Sequence, residues 1–199
     1  MPLPPPPPPP PPPSAIGLRT NNTTIPHPPS VPPHSPPNSF RVSLLIYNGH
    51  PFNDHWAYFV QSHANPDLGV KIHATGSVST GFLFEVKRNH NLRDTEDVPT
   101  KSIPLHWVDG ILFNETDMLG DGGERIDHEP TCGFERSVYK AKVPGKSLMS
   151  VSAISGEEAG RRKIVQRDCQ TWIVESADQL VVDGIFVNDV ADYLRAIQQ

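Results

Sequence analysis

Apolar and polar positions divide the chain into short alternating segments followed by two helical stripes. Residues 40–47 are apolar and β-branched and stop at Asn48–Gly49, which predicts a strand. A loop of turn formers, 48–54, leads to a second predicted strand, 56–60, with His55 at its mouth. A turn at 65–69 introduces a third, 70–74. There Val70, Ile72 and Ala74 share one face, and Lys71 and His73 the other. After a loop at 75–80, residues 81–88 start apolar and then alternate, predicting a fourth strand. Together they predict a meander of short antiparallel strands.

The middle of the chain is less regular. Residues 90–104 are polar and read as a loop, while 105–108 and 110–113 are apolar pieces that fit a strand or a short helix alike. Residues 117–129 are acidic and glycine-rich and read as an exposed loop, with too few correctly spaced oxygens for a calcium loop. Segments 137–143 and 148–151 read as strand edges, and 155–162 as a loop or short helix. Then the period changes. From Asp168, a good N-cap, Trp172, Ile173, Ala177, Leu180 and Val181 recur at three- and four-residue spacing, and Asp183–Gly184 supplies a stop. A final helix over 188–197 places Val190, Tyr193, Leu194 and Ile197 on one stripe. The expected class is α+β: a small antiparallel sheet packed against a cysteine-bearing helix and a C-terminal helix.

Composition adds a tail to this picture. Eighteen of the 24 prolines precede Phe40, ten of them in the unbroken run 4–13, which can only extend as a polyproline II rod. Residues 14–39 stay poor in apolar side chains and cannot offset the entropy of ordering. The expectation is a disordered proline-rich tail over 1–39 and a single α+β domain over 40–199. The tail fits a spacer first, with a ligand for a proline-recognition domain as the alternative. A net charge of −5 without long runs argues against nucleic acid as a partner. No transmembrane segment and no signal peptide are visible, and two cysteines do not suggest a disulfide framework. An intracellular, cytoplasmic protein is therefore expected.

Candidate chemistry centres on Cys169, at the predicted start of a helix, where unpaired N–H groups favour a thiolate. A nucleophilic thiol also needs a base, and the base an orienting group. His55 and His73 lie 18 residues apart (73 − 55), which suits neighbouring strands joined by a turn. The competing reading is a buried, inert thiol, since cysteine is among the most buried residue types. Cys132, in a turn-like Pro130–Thr131–Cys132–Gly133 setting, is expected to be a bystander, and Trp56, Trp107 and Trp172 to be core. His50, His55, His63 and His73 match no tight zinc-ligand spacing, so no metal or other cofactor is expected.

His55–Trp56–Ala57–Tyr58–Phe59, then Val70–Lys71–Ile72–His73, then Asp168–Cys169–Gln170–Thr171–Trp172 opening a helix, resembles the circularly permuted NlpC-type papain-like superfamily. Its lecithin:retinol acyltransferase-like and H-rev-like branches are the best known, and the chain also resembles poorly characterised fungal proteins with such a domain. The resemblance implies that His55 is the base, His73 the orienting residue and Cys169 the acyl-accepting nucleophile. It further implies a hydrolase or acyltransferase acting on an ester, thioester or amide in a lipid or peptide. The backbone N–H of Cys169 would contribute to an oxyanion hole. Asp168 and Gln170 depart from the Asn and Glu of the family's Asn-Cys-Glu-His-Phe motif. The negative charge of Asp168 opposes thiolate formation, and Arg167 offsets part of it if its side chain turns the same way. The longer stretch between His73 and Cys169 calls for a lid or insertion, and the membrane anchor of the lipid-acting branch is missing. The alternative is a catalytically silent copy of this fold, an interaction module with a proline-rich arm.

Overall fold

The computed structural model describes residues 26–93, 96–146 and 167–199. Four strands follow one another as a meander: β1 (Ser39–Tyr47), β2 (His55–Gln61), β3 (Leu68–Ser77) and β4 (Gly81–Asn91). Then come β5 (Lys101–Asp109), a 3-10 turn (Gly110–Leu112), α1 (Glu115–Leu119), β6 (Arg125–Asp127), α2 (Gly133–Tyr139), α3 (Cys169–Val182) and α4 (Asn188–Ile197). The strands form one antiparallel sheet in the order β5-β1-β2-β3-β4-β6. The α+β class and the meander are as the period-2 pattern predicts, though the sheet is larger than expected.

The two faces of the sheet differ in chemistry because strand side chains alternate. Leu44, Ile46, Trp56, Tyr58, Val60, Ile72, Ala74, Phe84 and Val86 point to one face and join the main core with Trp172, Ile173, Ala177 and Leu180 of α3. Burial of each large side chain stabilises by about 1.5–3 kcal/mol. Tyr58 fixes the helix to the sheet, its hydroxyl donating to the Ile173 carbonyl at 2.9 Å. The opposite face carries a small apolar cluster, Leu45, Tyr47, Ala57 and Phe59, beside Lys71, His73 and Glu85. The connection between β4 and β5 crosses this face. Leu92 packs on the apolar cluster, Asp97 pairs with the buried Lys71, and Thr100 donates to the Ile46 carbonyl.

The middle of the chain departs from the sequence expectations. Strand β4 runs on to Asn91 and β5 begins at Lys101, so the expected 90–104 loop is strand at both ends. The acidic stretch 117–129 contains most of α1 and all of β6. The strand edge expected over 137–143 is instead the end of helix α2. Phe134, Ser137 and Val138 are buried there at i, i+3 and i+4, and Glu135 is buried because it makes a bidentate pair with Arg88 at 2.7 and 3.0 Å. Segments 148–151 and 155–162 lie outside the described residues. Helices α3 and α4 fall where the 3.6-residue period puts them, with Asp168 as N-cap and Gly184, at φ 71°, just past the end of α3.

Of the tail, residues 1–25 lie outside the described residues. Residues 26–38 form no strand or helix but touch the sheet's edge, where the Trp107 indole donates to the Pro32 carbonyl at 2.8 Å. Trp107 is thus partly exposed and outside the core, unlike Trp56 and Trp172. Strand β1 begins at Ser39, which is buried.

Candidate functional site

Local structure places the three residues singled out by the sequence in different ways. His55 is the first residue of β2, opposite Tyr47 of β1. The β2–β3 ladder ends at Tyr58↔Ile72, three residues short of His55, so the strands are free to part there. Because Phe59 is paired with Lys71, His55 and His73 project from the same sheet face. His73 sits within β3, directly opposite Glu85 of β4. Their rings meet: His55 Nε2 and His73 Nδ1 are 2.8 Å apart, and His73 Nε2 is 2.8 Å from Glu85 Oε1.

Cys169 is the first residue of α3 and is 7% exposed. Its Sγ lies 3.9 Å from the Asp54 carbonyl oxygen, just before His55 in sequence. Among the described residues no hydrogen bond joins the thiol to the imidazole. They meet instead as neighbours on the wall of one cavity of about 860 Å³. The loop between β1 and β2 contributes Phe52 and Asn53 to that wall, and the β3–β4 turn contributes Ser77 and Val78.

Polar bonds lock the helix start against this loop. Asp168 accepts from the Thr171 backbone N–H at 2.9 Å while the Thr171 hydroxyl accepts from the Asp168 N–H, a reciprocal cap. The second Asp168 oxygen accepts from Asn53 Nδ2 at 3.0 Å, and Gln170 Nε2 donates to the Asp54 carbonyl at 2.8 Å. Asp168 and Gln170 therefore both hold the loop that leads into His55. Gly49 permits its tight course, since a Cβ there would stand 1.9 Å from the Asn53 carbonyl oxygen. Arg167 does not compensate Asp168. It pairs with Glu175 and donates to the Lys142 carbonyl.

Electrostatics favour neutral forms at the thiol and both imidazoles. Burial pushes His55 down to about 4, with His73 and Lys71 pushing the same way. Burial also lowers His73 against the opposing bond to Glu85, and that same bond holds Glu85 below the usual carboxylate range. Burial pushes the Cys169 thiol up; the Trp56 backbone N–H opposes this and the Asp168 charge adds to it. The helix start therefore does not produce a resting thiolate.

Glu85 was not singled out by the sequence reading, nor was Asn53. A hairpin count reaches Glu85: β3 and β4 pair Ser77 with Gly81, so the turn centres on residue 79, and His73 and Glu85 lie six residues either side. Cys132 is buried at the start of α2, its thiol pushed up to about 12 by burial, away from the cavity. The remaining histidines scatter. His63 stacks on Phe40 with ring centroids 4.0 Å apart, and His50 lies in the β1–β2 loop.

Comparison with curated proteins and with solved structures gives no match. A family model does match, over residues 42–187, a span that contains His55, His73, Glu85 and Cys169. The chain belongs to that family, described as a family of unknown function, DUF6540.

Proposed function

We propose that the chain is a cysteine-dependent hydrolase or acyltransferase of the permuted NlpC-type papain-like kind. One observation carries this: His55, hydrogen-bonded to His73 and through it to Glu85, lines the same cavity as the helix-start thiol of Cys169. Cys169 Sγ attacks the carbonyl carbon of an ester, thioester or amide as His55 takes the thiol proton, and His73 orients His55. The tetrahedral oxyanion collapses, the leaving group departs with the proton from His55, and an acyl thioester remains on Cys169. Water, or an acceptor nucleophile, then attacks that thioester and releases the thiol. With His55 and Cys169 both held in neutral forms, proton transfer accompanies attack rather than preceding it. The two free cysteines fit a reducing compartment, and we place the protein inside the cell. Among the described residues no helix is long and apolar enough to cross a membrane.

The test is alkylation of the full chain by iodoacetamide and by an acyl-mimicking electrophile at neutral pH, with Cys169→Ser and His55→Ala alongside. Labelling confined to Cys169 and slowed by His55→Ala is expected. Equal rates for the parent and His55→Ala would remove the base from the scheme. A second reading has one observation in its favour: the thiol donates to the Asp54 carbonyl, and among the described residues no hydrogen bond joins it to the imidazole. It makes the domain a silent interaction module with a proline-rich arm. Loss of partner capture on deleting residues 1–39, with Cys169 inert throughout, would favour it.

A further inference from the structure

Two neutral imidazoles in contact can share their proton in two ways. Each ring has one N–H donor and one lone pair. Either His73 Nδ1–H donates to His55 Nε2, or His55 Nε2–H donates to His73 Nδ1, and both satisfy the 2.8 Å contact. The choice decides the chemistry. In the first arrangement His55 carries its proton on Nδ1 and has no lone pair left for a thiol. In the second, Nδ1 is the free lone pair. A histidine as orienting residue cannot make this choice by itself, so a third group must.

We propose that Glu85 is a positioning residue that fixes the tautomers of both histidines, so that His55 offers the Nδ1 lone pair to the cavity. A carboxylate only accepts, so its 2.8 Å contact with His73 requires the proton on His73 Nε2. His73 Nδ1 is then an acceptor, and the proton between the rings must sit on His55 Nε2. His55 Nδ1 is left as the base. The polarity runs one way, from a carboxylate with 13% of its side-chain surface exposed, through an imidazole at 6%, to the mouth of β2.

The charged surroundings hold this direction. The series runs one way only while His73 is neutral, because an imidazolium would donate from both nitrogens. Lys71 and Lys87 both disfavour a charge on His73. Lys71 is 1% exposed and lies on the same sheet face as His73. Asp97 pairs with Lys71 and lies 3.9 Å from Lys87, and Lys87 helps hold Glu85 below the usual carboxylate range. Lys71 thus has a place in the site that its burial alone would not suggest.

The catalytic value of this arrangement rests on the thiol reading; the tautomers themselves do not, and the experiment separates the two. Ring ¹⁵N spectra of the full chain at pH 7, assigned through His55→Ala and His73→Ala, report which nitrogen of each ring carries the proton. Both His55 and His73 are expected as Nε2–H. In Glu85→Gln the side-chain amide can donate as well as accept, so the Nδ1–H form of His55 should gain population. Iodoacetamide alkylation of Cys169 should slow about tenfold or more, since the general base is lost from that population. Glu85→Leu, which neither donates nor accepts, should also release the tautomer preference and serves if the Gln variant folds poorly. The inference is overturned if parent His55 is mainly Nδ1–H, or if neither variant moves the tautomers. Parent tautomers as expected with an inert Cys169 would overturn the thiol reading and leave Glu85's role standing.

Discussion

Asp168 caps the helix and opposes the thiolate through the same carboxylate, and replacing it with Asn separates the two effects. Asn keeps an oxygen for the Thr171 N–H, and Asn and Asp are near-equal N-caps, so stability should change by less than about 0.5 kcal/mol. Its amide now faces Asn53 Nδ2, and Asn53 can turn over to present its oxygen. What is lost is one negative charge beside Cys169. A unit charge about 6 Å away, at an effective dielectric of about 40, is worth about 1.4 kcal/mol, a factor of about ten in an equilibrium. A less basic thiolate is also a weaker nucleophile, with a Brønsted slope of about 0.45, which leaves about a three- to fourfold gain in alkylation rate at pH 7. Asp168→Ala removes the same charge and the cap, so it should show a similar gain together with about 1 kcal/mol of lost stability in urea. Iodoacetamide kinetics between pH 6 and 9 with mass-spectrometric site assignment measure the first effect, and urea unfolding the second. If Asp168→Asn reacts at or below the parent rate across that range, the charge argument is wrong.

Three further outcomes are expected. His55 and His90 are lowered to about 4 from 6.5, so between those values the unfolded chain binds protons that the folded one does not. Stability should therefore fall as pH drops from about 6.5 towards 4, by at most ~3 kcal/mol per imidazole. The depressed carboxylates Glu85, Asp97, Asp127 and Glu135 add to the loss below about pH 4.5. Urea midpoints that stay flat from pH 7 to 5 would contradict the histidine part. Among the described residues Glu135→Ala leaves the fully buried Arg88 paired with Asp127 alone, and should cost about 3–5 kcal/mol in urea unfolding; a loss under about 1 kcal/mol would mean that water reaches the guanidinium. Gly49→Ala forces the β1–β2 loop off the Asn53 carbonyl, so Cys169 alkylation should change severalfold while the sheet's circular dichroism does not.

The sequence was most informative where one face of an element is apolar and the other is not. The β1–β4 meander and helices α3 and α4 follow from period alone, because Ile72 and Ala74, or Trp172 and Ile173, all meet one core. Helix α2 was hidden because a buried face made of Phe134, Glu135, Ser137 and Val138 is half polar, and its polar half is justified only by Arg88, 47 residues away. The start of β5 was hidden for a different reason. It is an edge strand, exposed at Lys101, Ser102 and Pro104, so no alternation marks it. At the site, His55, His73 and Cys169 could be chosen by type and order; the two rings touch and His55 and Cys169 line one cavity, and among the described residues no hydrogen bond joins thiol and imidazole. Glu85 was legible through hairpin register but carries no local signal. The partners of Arg167 and Gln170 depend on where distant backbone carbonyls fall, and no residue pattern encodes that.

The meander also sets an order of events in time. His55, His73 and Glu85 lie on three consecutive strands joined by short turns, contacts that close early because little chain entropy separates them. Cys169 is 96 residues beyond His73 (169 − 73), and α3 must dock across the sheet before its sulfur reaches the Asp54 carbonyl. During synthesis the histidine–carboxylate series can therefore assemble well before the thiol has left the ribosome. A chain truncated ahead of α3 would hold the paired histidines and Glu85 without the thiol that shares a cavity with His55.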